Sequence, residues 1–399
     1  LIKELYVAPG NGGAAAEAIP VPIKDDDIPG LVAFAVENKI DLVVAGPELP
    51  LTLGLTDALA AKSIPCFGPS AFAAQLEGSK AFAKRIMREA GVPTADFQVF
   101  TEYAKAKAYL ESVSLPIVLK ADGLAAGKGV IVARSKQEMF EGLDQIMLDK
   151  AFGEAGATLV VEEALVGQEA SFLAFCDGER VALLPSAQDH KPVGEGDTGP
   201  NTGGMGAYSP APILPEKDYE RVAELTIRPI VKRMAELGHP FKGILYAGLM
   251  IDRDKIRVLE YNVRFGDPEC QPLLMRLDSD LAEIMLACIA GKLDPSKVVC
   301  RPETSICVVV AAPGYPGRYP KGMPVTGLAE ADALEGVKVF QAGTKLENGR
   351  VLTSGGRVLG VTALGKDLAA AQAKAYEAVK LVHFEGCFYR RDIGDKGLE

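Results

Sequence analysis

The stretch VLEYNVRFGDPE, Val258 to Glu269, places Glu260, Asn262 and Arg264 two residues apart. In an extended strand side chains alternate, so these three share one face while Leu259, Tyr261 and Val263 take the other. A carboxylate beside an amide oxygen is a pair of hard ligands suited to Mg²⁺, which keeps water and nucleotide phosphates in its shell. An arginine two residues on can grip a carboxylate or phosphate with two parallel N–H bonds. The plainer alternative is a solvated strand face with one salt bridge. Against it, FGDPE ties the charged face into a tight turn, as sites with specific charge partners often are.

A second stretch, PIVLKADGLAAGKGVIVAR, reads as strand, glycine loop, strand. It is not a P-loop. That pattern needs glycine at the first position and a hydroxyl after the lysine, whereas Asp122 and Gly129 stand there, and a strand follows in place of a helix. Gly123, Gly127 and Gly129 let backbone amides close over phosphates, with Lys128 as an added charge. Lys120 shares a strand face with Val118 and sits at the mouth of this loop, well placed for a phosphate. A surface lysine beside a flexible hairpin is the open alternative. The third stretch, AQDHKPVGEGDTGPNTGGMGAYSPAP from Ala187 to Pro212, holds six glycines and one of three histidines. It is too polar and too broken for a core element, and is expected to be a loop. Its glycines allow close backbone approach and its prolines restrict the unbound chain.

The elements that must position these residues are legible in outline. Residues 1–78 alternate short apolar runs (ELYVA, DLVVAG, IPCFGP) with helical segments (IPGLVAFAVENK, LTLGLTDALAAKS), the order of a parallel sheet with helical crossovers. Ligands of such sheets bind at strand carboxyl ends, where APGNGG and AGPELP lie, unless these are mere turns. EGSKAFAKRIMREAGVPT predicts a helix capped by Ser79, with Phe82, Ile86 and Ala90 as its apolar stripe. TLVVEEALVGQEASFLAFCDG predicts two strands about a turn, EKDYERVAELTIRPIVKRMAELG one long helical segment, and GILYAGLMIDRDKIRVLEYN a hairpin turning at DRDK. From about residue 301, three strands and the helix DLAAAQAKAYEAVKLV form a last unit.

Composition sets limits. At 399 residues the chain is expected to hold two or three domains, at about 150 residues each. A net charge of −10 argues against a nucleic-acid-coating surface. The longest apolar run, Ile306 to Ala312, is too short to span a bilayer. Seven cysteines without a C-x-x-C read as reduced thiols, and a cytoplasmic protein is expected.

A lysine on a strand, a glycine hairpin, VVEEALVGQE and then E-x-N on a later strand, in that order, resemble the ATP-grasp ligases. QDHKPVGEGDTGPNTGGMGAYSPAP, LEGSKAFAK, KADGLAAGKGVIVA, LEYNVRFGDPE and GGRVLGVTALG together are similar to the glycinamide ribonucleotide synthetases (phosphoribosylamine–glycine ligases) of purine biosynthesis, over essentially the whole chain. The resemblance implies an α/β protein in three parts. These are an N-terminal open parallel-sheet domain (1–78), an ATP-grasp domain (79–300) with a lid subdomain at about 98–165, and a C-terminal α+β domain (301–399). It implies ATP and Mg²⁺ or Mn²⁺ as cofactors, glycine and 5-phosphoribosylamine as substrates, and a monomer or weak homodimer.

Site roles follow from the same resemblance. Lys80 and Lys120 would contact the ATP phosphates under a lid hairpin from Gly123 to Gly129, with Gly127 and Lys128 in it. Glu162, Glu163 and Leu165 would form the hinge whose backbone reads adenine, and Glu169 would hold the ribose. Glu260 and Asn262 would ligate the metal, and Arg264 would stabilise an acyl phosphate. Asp189, His190, Asn201, Thr202, Gly203, Gly204 and Gly266 would border the acceptor substrates. His190 stands between two readings, a general base or a structural hydrogen bond to the loop backbone. The family pattern G-x-G-G-R-E-H, which binds the phosphate of phosphoribosylamine, is not in the sequence. Residues upstream of Leu1 are expected, and Asn11 and Glu48 remain as candidates for the acceptor side. Two rivals stay open: another ATP-grasp ligase, such as a purine carboxylase or D-alanine ligase, and a nucleotide-binding module without turnover.

Overall fold

The structure, a computed structural model, describes residues 2–124, 129–149 and 156–398. The N-terminal part carries two short parallel strand pairs, Tyr6–Val7 with Ile19–Pro20 and Val43–Val44 with Cys66–Phe67. The strands are parallel as the sequence order requires, but they form two separate pairs. Helix Ile28–Glu37 packs beside them. The segment LTLGLTDALAAKS divides into helices Glu48–Thr52 and Leu55–Ala60, broken at Leu53 and Gly54.

Two four-stranded antiparallel sheets build the centre. The first runs Phe97–Phe100, Leu159–Glu163, Ile117–Ala121, Val130–Ala133 in spatial order. Ile117, Leu119, Ala121, Leu159 and Val161 face helices Tyr103–Leu110 and Lys136–Met147 and make one core. The alternate residues, Lys120 and Glu162 among them, therefore take the opposite face. The second sheet runs Val181–Leu183, Gln168–Asp177, Lys242–Asp252, Lys255–Asn262. The predicted turn at DRDK closes its last hairpin. Ala170, Phe172, Ala174, Leu245, Ala247, Val258 and Tyr261 meet helices Ala71–Gly78, Lys80–Glu89, Tyr219–Thr226 and Arg228–Glu236 in the largest core. Ser79 caps Lys80–Glu89 as its sequence demands, its Oγ accepting the Phe82 N–H at 3.0 Å.

Three differences from the sequence expectations have physical causes. Strands Leu159–Glu163 and Gln168–Asp177 flank one turn but join different sheets. The chain swings between them at Gly167, whose φ of +148° and contact with the Ile251 carbonyl leave no room for a Cβ. The helical segment after Pro215 is two helices, because Pro229 lacks an N–H and starts a new helix in its first turn. The stretch Ala187–Pro212 is not a loop. It forms strands Gln188–Asp189 and Gly206–Ser209, which bury Ala207 and Tyr208 in a sheet, and between them Pro192–Gly194 and Thr198–Asn201, which pair with each other at the surface.

The first and last of these four strands join the C-terminal sheet, whose order is Gln188–Asp189, Gly206–Ser209, Thr304–Ala311, Arg357–Gly365, Val337–Gln341. Helix Leu368–Val379 covers it with Ala371, Ala375 and Ala378. All seven cysteines are free thiols. Among the described residues no helix is long and apolar enough to cross a membrane.

Candidate active site

One face of the second central sheet carries the chemistry. Glu260 lies opposite Gly248, and Asn262 opposite Tyr246. The strand ends at Asn262, so Arg264 follows just beyond it. Burial pushes the Glu260 carboxyl up, but the charges of Lys191, Lys120, Lys80 and Arg264 outweigh that and hold it below the ordinary value. Glu260 is thus an ionised carboxylate held down by four cations, Lys80 at the start of a helix, Lys120 on a strand, Lys191 between two short strands and Arg264 just beyond its own strand. Each cation also has a nearer partner. Lys120 reaches Glu162 at 3.0 Å, Lys191 reaches Glu169 at 2.8 Å, and Lys80 donates to the Gly123 carbonyl at 2.8 Å. Arg264 reaches Glu48 at 3.0 Å and Glu77 at 2.6 Å.

Lys120 is not a surface lysine. Its side chain is 8% exposed and shares Glu162 Oε2 with the buried Lys84, which lies at the same 3.0 Å. Burial lowers Lys84 to about 8 despite the Glu162 charge. Among the described residues Glu162 Oε1 is buried with no partner, so one acceptor stays open beside the two ammonium groups. Burial lowers Lys80 too, against the pull of Glu260. Lys191 moves the other way: burial lowers it, but Glu169, Glu260 and Asp189 together raise it. The Arg264 guanidinium is likewise held above its usual value against burial by Glu77 and Glu48.

Residues Glu163–Val166, overlapping the expected hinge Glu162–Leu165, border a cavity of about 180 Å³ with Met250, Asp252, Lys255 and Arg257 on the hairpin. Glu163 pairs with Arg257 and accepts the Asp96 N–H at 3.2 Å, joining the first central sheet to the second. Ser79 Oγ donates to Asp122 at 3.0 Å, and Gly129 O accepts the Ala121 N–H at 2.8 Å, so both ends of the glycine hairpin are anchored. Gly127 and Lys128 lie outside the described residues.

The acceptor candidates divide. Asp189 is half-buried, and burial and then Glu269 push its carboxyl well above the usual range. Glu269 itself takes Ser171 Oγ at 2.9 Å and Tyr246 OH at 2.6 Å on Oε1. Gly204 has φ +116°, and a Cβ there would run into Pro268 and sit 2.7 Å from Asp189 Oδ1, so only glycine fits. Thr202 Oγ1 donates to Lys191 O at 2.8 Å and accepts the Gly204 N–H at 2.9 Å. Gly203 donates its N–H to Tyr315 OH at 3.2 Å. Asn201 is exposed at a strand end. Gly266 packs against Glu269 and Tyr246.

His190 and Asn11 are occupied elsewhere. His190 is fully buried, with Nδ1 at 3.3 Å from Gly206 O and Nε2 accepting the Gly394 N–H at 3.4 Å. Burial, then the charges of Lys396 and Arg390, lower it to about 4, so the ring is neutral and its nitrogens face main chain. The geometry matches the structural-hydrogen-bond alternative. The Asn11 amide caps Ala14 N at 2.8 Å and donates to Gln341 O at 2.6 Å, tying the N-terminal part to the C-terminal sheet. Glu48, by contrast, reaches the cluster through Arg264.

Sequence reasoning missed Glu77, Lys84, Lys191 and Arg357. Arg357 donates to Gly203 O at 2.9 Å and to Asp267 at O and Oδ2, at 2.7 and 2.9 Å. Lys191 was detectable, as the cation two residues after Asp189 on an extended segment. Glu77 and Lys84 flank Lys80 in LEGSKAFAK, Lys84 one helical turn after it, and Arg357 lies in GGRVLGVTALG, but their partners Arg264, Glu162 and Asp267 are set only by the fold.

Residues 1–77, 78–270 and 305–396 match, in turn, the N domain, the ATP-grasp (A) domain and the C domain of phosphoribosylglycinamide synthetase. The chain belongs to the phosphoribosylglycinamide synthetase family. Similar members include the phosphoribosylamine–glycine ligases of Rhodopirellula baltica, 49% identical over the whole chain and 92% of the relative, and Rhizobium meliloti, 52% identical over 98% and 92%. Among solved structures, the phosphoribosylamine–glycine ligase of Thermotoga maritima superposes with a TM-score of 0.85 at 33% identity, over 98% of this chain and 94% of that one. The biotin carboxylase domain of the Hydrogenobacter thermophilus 2-oxoglutarate carboxylase, 16% identical with a TM-score of 0.74 over 93% and 81%, shares the ATP-grasp fold. For this synthetase family member, one carboxylate and one amide on a strand leave coordination positions for phosphate oxygens and water, which fits a hard divalent cation.

Proposed function

We propose that the chain joins glycine to 5-phosphoribosylamine, converting ATP to ADP and phosphate and forming glycinamide ribonucleotide. A glycine carboxylate oxygen attacks the γ-phosphorus, ADP leaves, and glycyl phosphate forms. The amine nitrogen of phosphoribosylamine then attacks the glycyl carbonyl carbon, phosphate leaves, and the nitrogen sheds a proton. No enzyme nucleophile is needed, so the side chains act by positioning and charge neutralisation.

The single observation that carries this reading is the convergence of Lys80, Lys120, Lys191 and Arg264 on Glu260. Four cations around one carboxylate hold the charge of a triphosphate and an acyl phosphate better than that of a neutral ligand. Lys80 and Lys120 take the nucleotide phosphates, and Arg264 the glycine carboxylate and its phosphate. Glu162 to Leu165 border the adenine and Glu169 the ribose. Glu260 and Asn262 would hold Mg²⁺ or Mn²⁺, which, when bound, neutralises phosphate charge. Asp189, Thr202, Gly203, Gly204 and Gly266 border the acceptors, with His190 positioning the strand between them. The hairpin Gly123–Gly129 covers the nucleotide, because water would hydrolyse an acyl phosphate. Seven unpaired thiols fit a reducing compartment such as the cytoplasm.

The test is ADP release with ATP, Mg²⁺, glycine and freshly generated phosphoribosylamine. Release that requires both acceptors supports the ligase. Release driven by bicarbonate or D-alanine in place of glycine would move the chain to another ATP-grasp activity, and ATP binding without release would leave only a nucleotide-binding module.

A further inference from the structure

Arg264 is gripped by two carboxylates from different segments, and one of them, Glu77, has no part in the roles above. Glu77 lies in the last turn of helix Ala71–Gly78 with its side chain 8% exposed. Its Oε2 accepts the Val263 main-chain N–H at 2.8 Å and its Oε1 accepts Arg264 Nη2 at 2.6 Å. Arg264 Nε donates to Glu48 at 3.0 Å and Nη1 to the Phe265 carbonyl at 3.0 Å. A guanidinium has five N–H groups. Among the described residues three are engaged, which leaves one on each terminal nitrogen.

We infer that Glu77 is the positioning residue for Arg264, fixing where those two remaining N–H groups point and so where the glycine carboxylate and its acyl phosphate are held. One carboxylate binds both the main chain and the guanidinium at the same strand end, which removes the freedom of each relative to the other. A neutral amide cannot replace it. Glutamine has one acceptor oxygen, and its NH₂ would face a second donor, either Val263 N–H or the guanidinium. The next residues hold the lid: Ser79 bonds Asp122 and Lys80 bonds Gly123 O. Residues 77–80 thus join the acyl-phosphate arginine to the start of the hairpin. Burial pushes the Glu77 carboxyl up to about 7, with Arg264 and the Val263 N–H drawing it down and Glu48 and Glu260 pushing it further up. The contacts to Arg264 at 2.6 Å and Val263 N–H at 2.8 Å are what favour the ionised form against that burial.

The inference rests on the ligase reading, so its experiment has one readout that needs turnover and one that does not. Wild type, Glu77→Gln and Glu77→Asp are compared for kcat, for KM of ATP and glycine, and for glycine binding by calorimetry with a non-hydrolysable ATP analogue. In Glu77→Gln, kcat is expected to fall about 100-fold and glycine binding to weaken about 10-fold, with KM for ATP within about twofold. Glu77→Asp keeps both acceptor oxygens and is expected to recover at least about 10-fold of the lost kcat. Unchanged kcat in Glu77→Gln, or ATP and glycine binding lost in equal measure, would overturn it. If wild type shows no turnover, the ligase reading fails while the glycine titration still decides the role of Glu77.

Discussion

The sharpest prediction concerns His190, because its two readings give opposite results. The ring is neutral when folded, lowered to about 4 by burial and by Lys396 and Arg390, against 6.5 in the unfolded chain. A histidine depressed in this way contributes stability that is full above pH 6.5 and is lost as pH falls from 6.5 toward 4. At pH 5 the unfolded chain is almost fully protonated at this site and the folded one scarcely. The ratio of the two binding polynomials gives about 2 kcal/mol lost relative to pH 8, or about 30-fold in an opening equilibrium. The amides of Met205, bonded to His190 O at 2.8 Å, and of Val309, bonded to Met205 O at 3.0 Å, report opening of this sheet. Hydrogen-exchange protection at these two amides is measured at pH 8 and pH 5 in wild type and His190→Gln. Glutamine can still donate to Gly206 O and accept from Gly394 N–H. The wild type should lose about 30-fold more protection than the variant, while the variant keeps turnover within about tenfold at pH 8. Equal losses in both proteins, together with an activity drop of about 1,000-fold in the variant, would refute the reasoning and restore His190 as a general base.

Other expectations come from the charge cluster. Glu260→Gln should leave the circular dichroism unchanged but cut turnover by orders of magnitude and raise the Mg²⁺ concentration for half-maximal rate, read in the ADP-release assay. Glu162→Gln strips the shared partner from Lys84 and Lys120, which are 2% and 8% exposed. It should cost about 3–5 kcal/mol of lid stability, part of which bound ATP restores, as thermal melts with and without nucleotide would record. Arg357→Lys loses the fork that holds both Gly203 O and Asp267. It should raise KM for phosphoribosylamine about tenfold or more while leaving KM for ATP within about twofold in the same assay.

The reach of the sequence can be traced through particular residues. The capped helix at Ser79, the hairpin at DRDK and the strand carrying Glu260 and Asn262 were all legible. Each is fixed by local periodicity, a cap or a turn within about a dozen residues. Ala187–Pro212 reads as a loop because its strands are only two to four residues long and the one at Gly206–Ser209 is buried by a partner about 100 residues away, at Thr304–Ala311. The site shows the same limit. Glu77, Lys84 and Arg357 stand in motifs of the sequence, as the ligand-like residues do, yet the groups they hold, Arg264, Glu162 and Asp267, come near them only in the folded chain. Asn11 shows the reverse: a polar residue on a strand-end loop had the right address, yet its amide is spent on Gln341 O and a helix cap.

The pairing of Gly206–Ser209 with Thr304–Ala311 means that the seam between modules in the sequence is not the seam in space. A fragment cut near residue 300 would carry an orphaned edge, four residues long, with open main-chain donors and acceptors. A chimera that exchanges the last hundred residues for those of a relative would have to take Ala187–Pro212 with them. The segment Ala187–Pro212 therefore belongs in space to the C-terminal sheet, while its Lys191 stays tied to Glu169 on the central one.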